Sequence, residues 1–196
     1  MKIYIDENIN DFDLDEAMTL LSEQRREQVA RYKLEGPRRQ AVAAYLLLRK
    51  ALREMYGIHD APVFEYDANG KPSILGHPEI FFNLSHCRKA VACVVADSPV
   101  GIDVEETCRF SDSIARYTLD DEEYESVVKA DNPSQAFIRL WTMKEALLKY
   151  TGEGLRRDIK TVLRLSPANK VEFLTELHDG YVVSVVNTKS CLLRCQ

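Results

Sequence analysis

The chain lacks a long apolar run. Its longest, residues 41–48, falls far short of the ~20 residues that cross a bilayer, so no membrane span is expected. The opening residues, Met1-Lys2-Ile3-Tyr4-Ile5-Asp6, turn acidic at once and carry no apolar leader core. That gives the expectation of a cytoplasmic protein without a signal peptide. Paired cysteines are also missing. The five present, Cys87, Cys93, Cys108, Cys191 and Cys195, are odd in number and form no C-x-x-C pair. A reduced protein fits this better than a disulfide framework, and Cys191 with Cys195 makes a poor metal site without a nearby histidine. Positive charge is in deficit as well. Lys and Arg number 26 against 31 Asp and Glu, a net charge of −5, the wrong sign for a general nucleic-acid binder. Low-complexity tracts and obvious flexible linkers are absent.

What is present is ordinary in bulk and uneven in detail. With 196 residues, 45% apolar and 29% charged, the chain can form one large domain or two small ones packed together. Between residues 25 and 39 lie Arg25, Arg26, Arg31, Lys33, Arg38 and Arg39, against only Glu27 and Glu35. Acidic clusters sit elsewhere, at 11–16 and 120–125. A basic stretch in an acidic protein suits a small polyanionic ligand, and a solvated helix face accounts for it equally.

Hydrophobic periodicity predicts a strand at residues 1–6 and helices over 14–32 and 38–56, the second stopped by Gly57. Asn69-Gly70 marks a hairpin within 64–75, and strands are expected at 81–84, 90–96 and 102–105. Helical segments follow over 111–130. Asn132-Pro133 then opens a long helix ending near Tyr150, and the tail from 161 to 193 reads as three strands. One echo links the halves: His86-Cys87-Arg88-Lys89 leads into a valine-rich strand, and so does His178-Asp179-Gly180. Two similar α+β halves sharing a site at their junction explain the echo. Chance likeness between two valine strands explains it too.

Three stretches carry chemistry. In Gly101-Ile102-Asp103-Val104-Glu105, strand alternation puts Asp103 and Glu105 on one face, ~6–7 Å apart. Such carboxylates repel unless a cation or water intervenes, and Mg²⁺ favours oxygen ligands plus substrate phosphates. An exposed acidic strand gives the same pattern, and Glu106 adds to that reading. In the helix around Phe137, Leu140, Trp141 and Leu148, Lys144 falls on the apolar stripe and Glu145 follows it. Ions are seldom buried without a partner or a metal. A plain i, i+4 pair, Glu145 with Lys149, is the alternative. In Asn83-Leu84-Ser85-His86, small polar groups at a turn can donate to phosphate oxygens. A Ser–His hydrolase would need a G-x-S-x-G elbow, which the chain does not have.

In this order, the three stretches resemble the signature of the 4′-phosphopantetheinyl transferases of the surfactin-synthetase (Sfp) type. Gly70-Lys71-Pro72 matches a further turn of that pattern, and the resemblance runs over residues 22–186. It implies an α+β fold of two similar halves related by a pseudo-twofold, each a small antiparallel sheet with a long helix. The halves would divide at 1–100 and 101–196, with the active site in the cleft between them. It implies Mg²⁺-dependent transfer of the 4′-phosphopantetheine arm of coenzyme A to a serine of an apo acyl or peptidyl carrier protein, releasing adenosine 3′,5′-bisphosphate. By the same resemblance Asp103, Glu105 and Glu145 hold the metal, with Glu123 a further acidic candidate. Arg39, Lys71, Ser85, His86, Lys144 and Lys149 bind coenzyme A. Glu145, directly or through a water, takes the proton of the attacking serine, and Lys149 assists catalysis. A monomer without nucleic-acid or membrane partners is expected. The departures are Arg25 and Arg26 where the family has lysines, and a short chain. A non-catalytic coenzyme A or carrier-binding module is the competing class, which would not need three carboxylates.

Overall fold

The computed structural model describes residues 1–107, 110–152, 158–164 and 170–188. Strand β1 (Lys2–Asp6) is followed by two short helices, α1 (Leu14–Thr19) and α2 (Glu23–Ala30), and the long α3 (Glu35–Tyr56). The single helix expected over 14–32 is thus broken, because Ser22 caps α2 by accepting from Arg25 N while its own N–H donates to the Tyr45 hydroxyl. Gly57, at φ 68°, closes α3 in the left-handed conformation. The hairpin β2 (Phe64–Tyr66) and β3 (Pro72–Ile74) turns through Gly70 as expected. Strands β4 (Phe81–His86) and β5 (Val91–Ala96) complete a three-stranded antiparallel sheet in the order β1-β5-β4.

The second half repeats this plan. Strand β6 (Val100–Glu106) leads through α4 (Asp112–Thr118) and α5 (Asp121–Val128) to the long α6 (Pro133–Thr151). A hairpin, β7 (Val171–His178) and β8 (Tyr181–Thr188), follows. Its last strand lies in the middle, order β6-β8-β7, as β5 does in the first sheet. The echo between the turns at 86–89 and 178–180 is therefore a repeat in topology. In the tail, residues 161–164 form a turn rather than a strand, two strands follow, and residues 189–193 of the expected third lie outside the described residues. Cys108, Cys191 and Cys195 lie outside them too.

Strand alternation decides which face each residue serves. Val91, Cys93 and Val95 pack with α3 residues in the first core, while Ala92, Val94 and Ala96 meet Val100, Ile102, Val104, Val183 and Val185 between the sheets. Burying these faces is the main stabilising term, at ~25 cal/mol per Å² of apolar area. The opposite face of β6 turns to α6. There the helix comes so close that a Cβ on Gly101 would run into the Ala146 carbonyl oxygen and stand 2.6 Å from Tyr150 N. Glycine is needed at 101 for that approach, and the approach brings the last turns of α6 onto the strand that carries Asp103. No described helix is long and apolar enough to cross a membrane.

The clash at Gly101 is with backbone, which has no rotamer to yield. Gly101→Ala should therefore destabilise the protein by about 3 kcal/mol. Urea unfolding measures this, and a loss under about 1 kcal/mol would contradict the packing described.

Candidate active site

Strand β6 lies at the edge of its sheet, so alternate N–H groups along it lack a neighbouring strand. Side chains of β4 fill that place. Asn83 Oδ1 accepts from Ile102 N at 3.0 Å, and Ser85 Oγ accepts from Val104 N at 3.2 Å. The i, i+2 spacing of Asn83 and Ser85 on one strand matches the i, i+2 spacing of the two donors on the other. Ser85 also donates to Asp103 Oδ1 at 2.8 Å. Lys149, reaching down from α6, donates to the same Asp103 oxygen at 2.7 Å and to Ser85 Oγ at 2.9 Å. Asp103 is 3% exposed, and its Oδ2 is buried without a hydrogen-bond partner.

Glu105 and Glu145 complete a crowded acidic group. Burial first, then repulsion from Asp103 and more weakly from Glu145, pushes Glu105 up to about 7, with Lys149 and the Trp141 N–H pulling the other way. Glu145 is raised by burial and then by Asp103, with Lys149 opposing. The three carboxylates expected to act together are thus close enough to perturb one another. Among the described residues no three histidine, cysteine or carboxylate groups close tightly enough to hold a cation unaided. The orphaned Asp103 oxygen and the two strained neighbours nevertheless fit a cation whose shell is finished by water and phosphate, as Mg²⁺ requires.

Two cavities open from this group. One, of about 220 Å³, is lined by Asn69, Gly70, Lys71, Pro72, Asn83, Glu145, Leu148, Lys149 and Gly152. Here the β2–β3 hairpin of the first half leans on α6 of the second, and Lys71 Nζ donates to the Tyr150 carbonyl at 2.7 Å. Burial lowers the Lys71 pKa. The other cavity, of about 500 Å³, has Glu105 and Trp141 in its wall with Gln40, Cys87, Ile114 and Phe137. His86 is held below the usual histidine range by desolvation first, then by the positive charges of Lys149 and Arg25.

Three expected site residues are placed elsewhere. Lys144 is fully buried. Its ammonium bonds the carbonyls of Thr118, Ile159 and Lys160 at 2.9, 2.9 and 3.0 Å and Glu123 Oε2 at 2.6 Å. Three protons over four acceptors leave nothing for a phosphate. Glu123 is correspondingly not in the metal group: it pairs with Lys144 and closes the capping box of α5 with Asp120. Arg39 is tied to Glu35 Oε1 and the Phe12 carbonyl at 2.8 and 2.9 Å and lies over the Phe12 ring, away from the lining of either cavity. The cation from the basic stretch that does reach His86 is Arg25. It donates to Gln28 and the Ala41 carbonyl and keeps a buried Nε without a partner. Its position on the first turns of α2, capped by Ser22, was the available signal.

Family models match both halves: the 4′-phosphopantetheinyl transferase superfamily over residues 99–190, and the N-terminal region of 4′-phosphopantetheinyl transferases over 10–98. The chain is 30% identical to 4′-phosphopantetheinyl transferase Sfp of Bacillus subtilis strain 168, covering 95% of this chain and 84% of that protein. It is 32% identical to psf-1, the 4′-phosphopantetheinyl transferase of Bacillus pumilus, over 90% of this chain and 77% of the relative. It belongs to the 4′-phosphopantetheinyl transferase superfamily. A solved structure, the holo-[acyl-carrier-protein] synthase of Thermotoga maritima, aligns at 22% identity and a TM-score of 0.34, covering 45% of this chain and 61% of that one.

Two tests follow from the charges. Glu105 titrates near 7 in the folded protein instead of 4.5, so the native state holds this proton more tightly than the unfolded chain. The stability it contributes is complete below about pH 4.5 and is lost as pH rises through about 7. In metal-free protein, Glu105→Gln should flatten the fall of the urea midpoint across that window; an unchanged slope would refute the assignment. Separately, Lys144→Met strands Glu123 and three carbonyls, and should destabilise by about 3 kcal/mol. Adding Glu123→Leu should recover part of the loss in the same urea measurement, and no recovery would mean that the buried pair is uncoupled.

Proposed function

We propose that the protein transfers the 4′-phosphopantetheine arm of coenzyme A to a serine hydroxyl of an apo acyl or peptidyl carrier protein, releasing adenosine 3′,5′-bisphosphate. The carrying observation is Asp103 Oδ2, buried and unpartnered on a carboxylate close enough to repel both Glu105 and Glu145. Membership of the transferase superfamily and the cationic cleft beside that oxygen support the same reading.

Mg²⁺ held by Asp103, Glu105 and Glu145 supplies, when bound, a Lewis acid and a template for the pyrophosphate. The protein's own groups divide the rest. Lys71, at the lip of the cleft, and His86 with Arg25 bind the nucleotide phosphates, the unpartnered Arg25 Nε being a free donor. Lys149 meets negative charge as it grows on the leaving bisphosphate. The serine oxygen forms a bond to the phosphorus nearer the pantetheine arm, and the pyrophosphate P–O bond breaks. The serine proton passes to Glu145, directly or through a water. The protein acts as a monomer in the cytoplasm, without nucleic acid or membrane.

Incubating apo carrier proteins with the enzyme, coenzyme A and Mg²⁺ should add the mass of one phosphopantetheine arm, and a chelator should abolish the gain. Glu145→Gln should lower kcat by about 100-fold or more. Lys71→Ala should raise KM for coenzyme A by about tenfold with kcat little changed. No mass gain over a panel of carriers, with coenzyme A still bound, would identify a binding module instead.

A further inference from the structure

Strand β8 is apolar from Val182 to Val186 except at its centre, where Ser184 stands. Alternation turns Ser184 toward α6, between Val182 and Val186, which pack on apolar groups of that helix. Ser184 and Thr142 of α6 are both fully buried. Hydroxyls buried so deeply need partners. Thr142 Oγ1 and Ser184 Oγ lie 2.8 Å apart, and Ser184 Oγ and Thr175 Oγ1 3.0 Å apart. Thr142 Oγ1 also donates to the Arg139 carbonyl at 3.1 Å. Each hydroxyl has one proton, so a single assignment satisfies all three contacts. Thr175 donates to Ser184, Ser184 to Thr142, and Thr142 to Arg139.

This chain is aligned with the acidic group. Across the sheet, Asp103, Ser184 and Thr175 form one row, because Ser184 is paired with Asp103 on β6 and with Thr175 on β7. Along α6, Thr142, Glu145 and Lys149 recur at helical spacing and share one face. The hydroxyl bond joins the two rows just before Glu145. Apolar contact is not directional, whereas a hydroxyl pair at 2.8 Å admits little sliding or rotation of the helix. The bond from Lys149 to Asp103 cannot serve instead, since a flexible lysine stem follows a helix that shifts.

We infer that Thr142 and Ser184 are positioning residues: their bond fixes α6 on the sheet so that Glu145 meets Asp103 and Glu105 at one cation. This rests on the transferase reading of the site. Both hydroxyls act through Glu145, and neither is itself a ligand.

Thr142→Val removes the hydroxyl at nearly constant volume, and Thr142→Ser keeps it. Mn²⁺ binding with coenzyme A present and no carrier, read from the free-ion signal in electron paramagnetic resonance, should weaken about tenfold or more in Thr142→Val and stay within about twofold of wild type in Thr142→Ser. Ser184→Ala should weaken it as much as Thr142→Val, and the double variant no further, because the same bond is lost in all three. At saturating metal, kcat should still fall by about tenfold or more in these three variants, as Glu145 is misplaced. Should Thr142→Val or Ser184→Ala fold poorly, judged by the urea midpoint, Ser184→Cys keeps the volume while donating weakly and should weaken Mn²⁺ binding likewise. Lower urea midpoints with Mn²⁺ affinity unchanged would make the hydroxyl chain structural only and overturn the inference. Equal loss in Thr142→Ser and Thr142→Val would overturn it as well. A wild-type protein that binds no Mn²⁺ and transfers nothing overturns the transferase reading, and the inference with it.

Discussion

Strand β6 has to be an edge strand on one side and a buried strand on every other. Its residues from Val100 to Val104 are buried, yet among the described residues β8 is its only strand partner. A buried N–H left without an acceptor costs about 1–3 kcal/mol, and β6 would present two of them at Ile102 and Val104. Asn83 and Ser85 remove that cost by reaching from β4. The bonds are specific in register, because a slip of one residue would turn the donors away and the side chains with them. Everything at the site hangs on this joint. It sets where Asp103 stands, and Gly101, two residues before it, sets how near α6 can bring Glu145 and Lys149.

The two halves share a chain path but divide the chemistry. On β1, Lys2 and Tyr4 face α3 and share Glu54, at 3.0 Å each, in a neutralised cluster. On β6 the corresponding face carries Gly101, Asp103 and Glu105, and the helix above supplies one lysine to three carboxylates. The first half instead sends Lys71 on its hairpin to the junction, with Arg25 close to a His86 whose charged form is disfavoured at the end of β4. Glu145 and Lys149 come from one half and Lys71 from the other, so the cleft exists only where the two meet. Lys144 secures the second half at a distance. By gathering Thr118, Glu123, Ile159 and Lys160, it ties α4, α5 and the segment after α6 to the helix that carries Glu145.

Much of this was legible in the sequence because it rests on period and punctuation. The alternation in Ile102-Asp103-Val104-Glu105 gave the acidic face of β6, and Asn132-Pro133 with an expected end near Tyr150 bounded α6 nearly to the residue. The echo of two turns before valine strands proved to be the repeat of two hairpins. What failed shares a cause. Lys144 sat on an apolar stripe beside Glu145, and the stripe shows burial without showing what is buried with it. Its acceptors come from residues 118, 123, 159 and 160, which no local pattern connects. Ser85 was expected at a turn but lies in β4, and its three partners come from β6 and α6, which no local pattern connects to it. Arg39 and Arg25 lay in one basic stretch. Only the break between α1 and α2 at Ser22 decides that the second approaches His86.

The acidic group itself is held in an unfavourable state. Lys149 brings one positive charge to Asp103, Glu105 and Glu145, and burial first, then repulsion from Asp103, raises the pKa of both glutamates. A pyrophosphate entering that field uncompensated would add further negative charge in a place of low polarity, where repulsion is strong. On the proposed function, a divalent cation would reverse the balance: it would relieve the carboxylates, favour their ionised forms and strengthen the hold on the pyrophosphate. On the proposed function, the raised pKa values of Glu105 and Glu145 in the free protein would be the counterpart of cation affinity in the loaded one. A site relaxed by replacing either glutamate with a neutral residue would gain stability and lose the cation's reason to bind. On the proposed function, that trade would account for three crowded carboxylates kept under one lysine, on a strand pinned by Asn83 and Ser85.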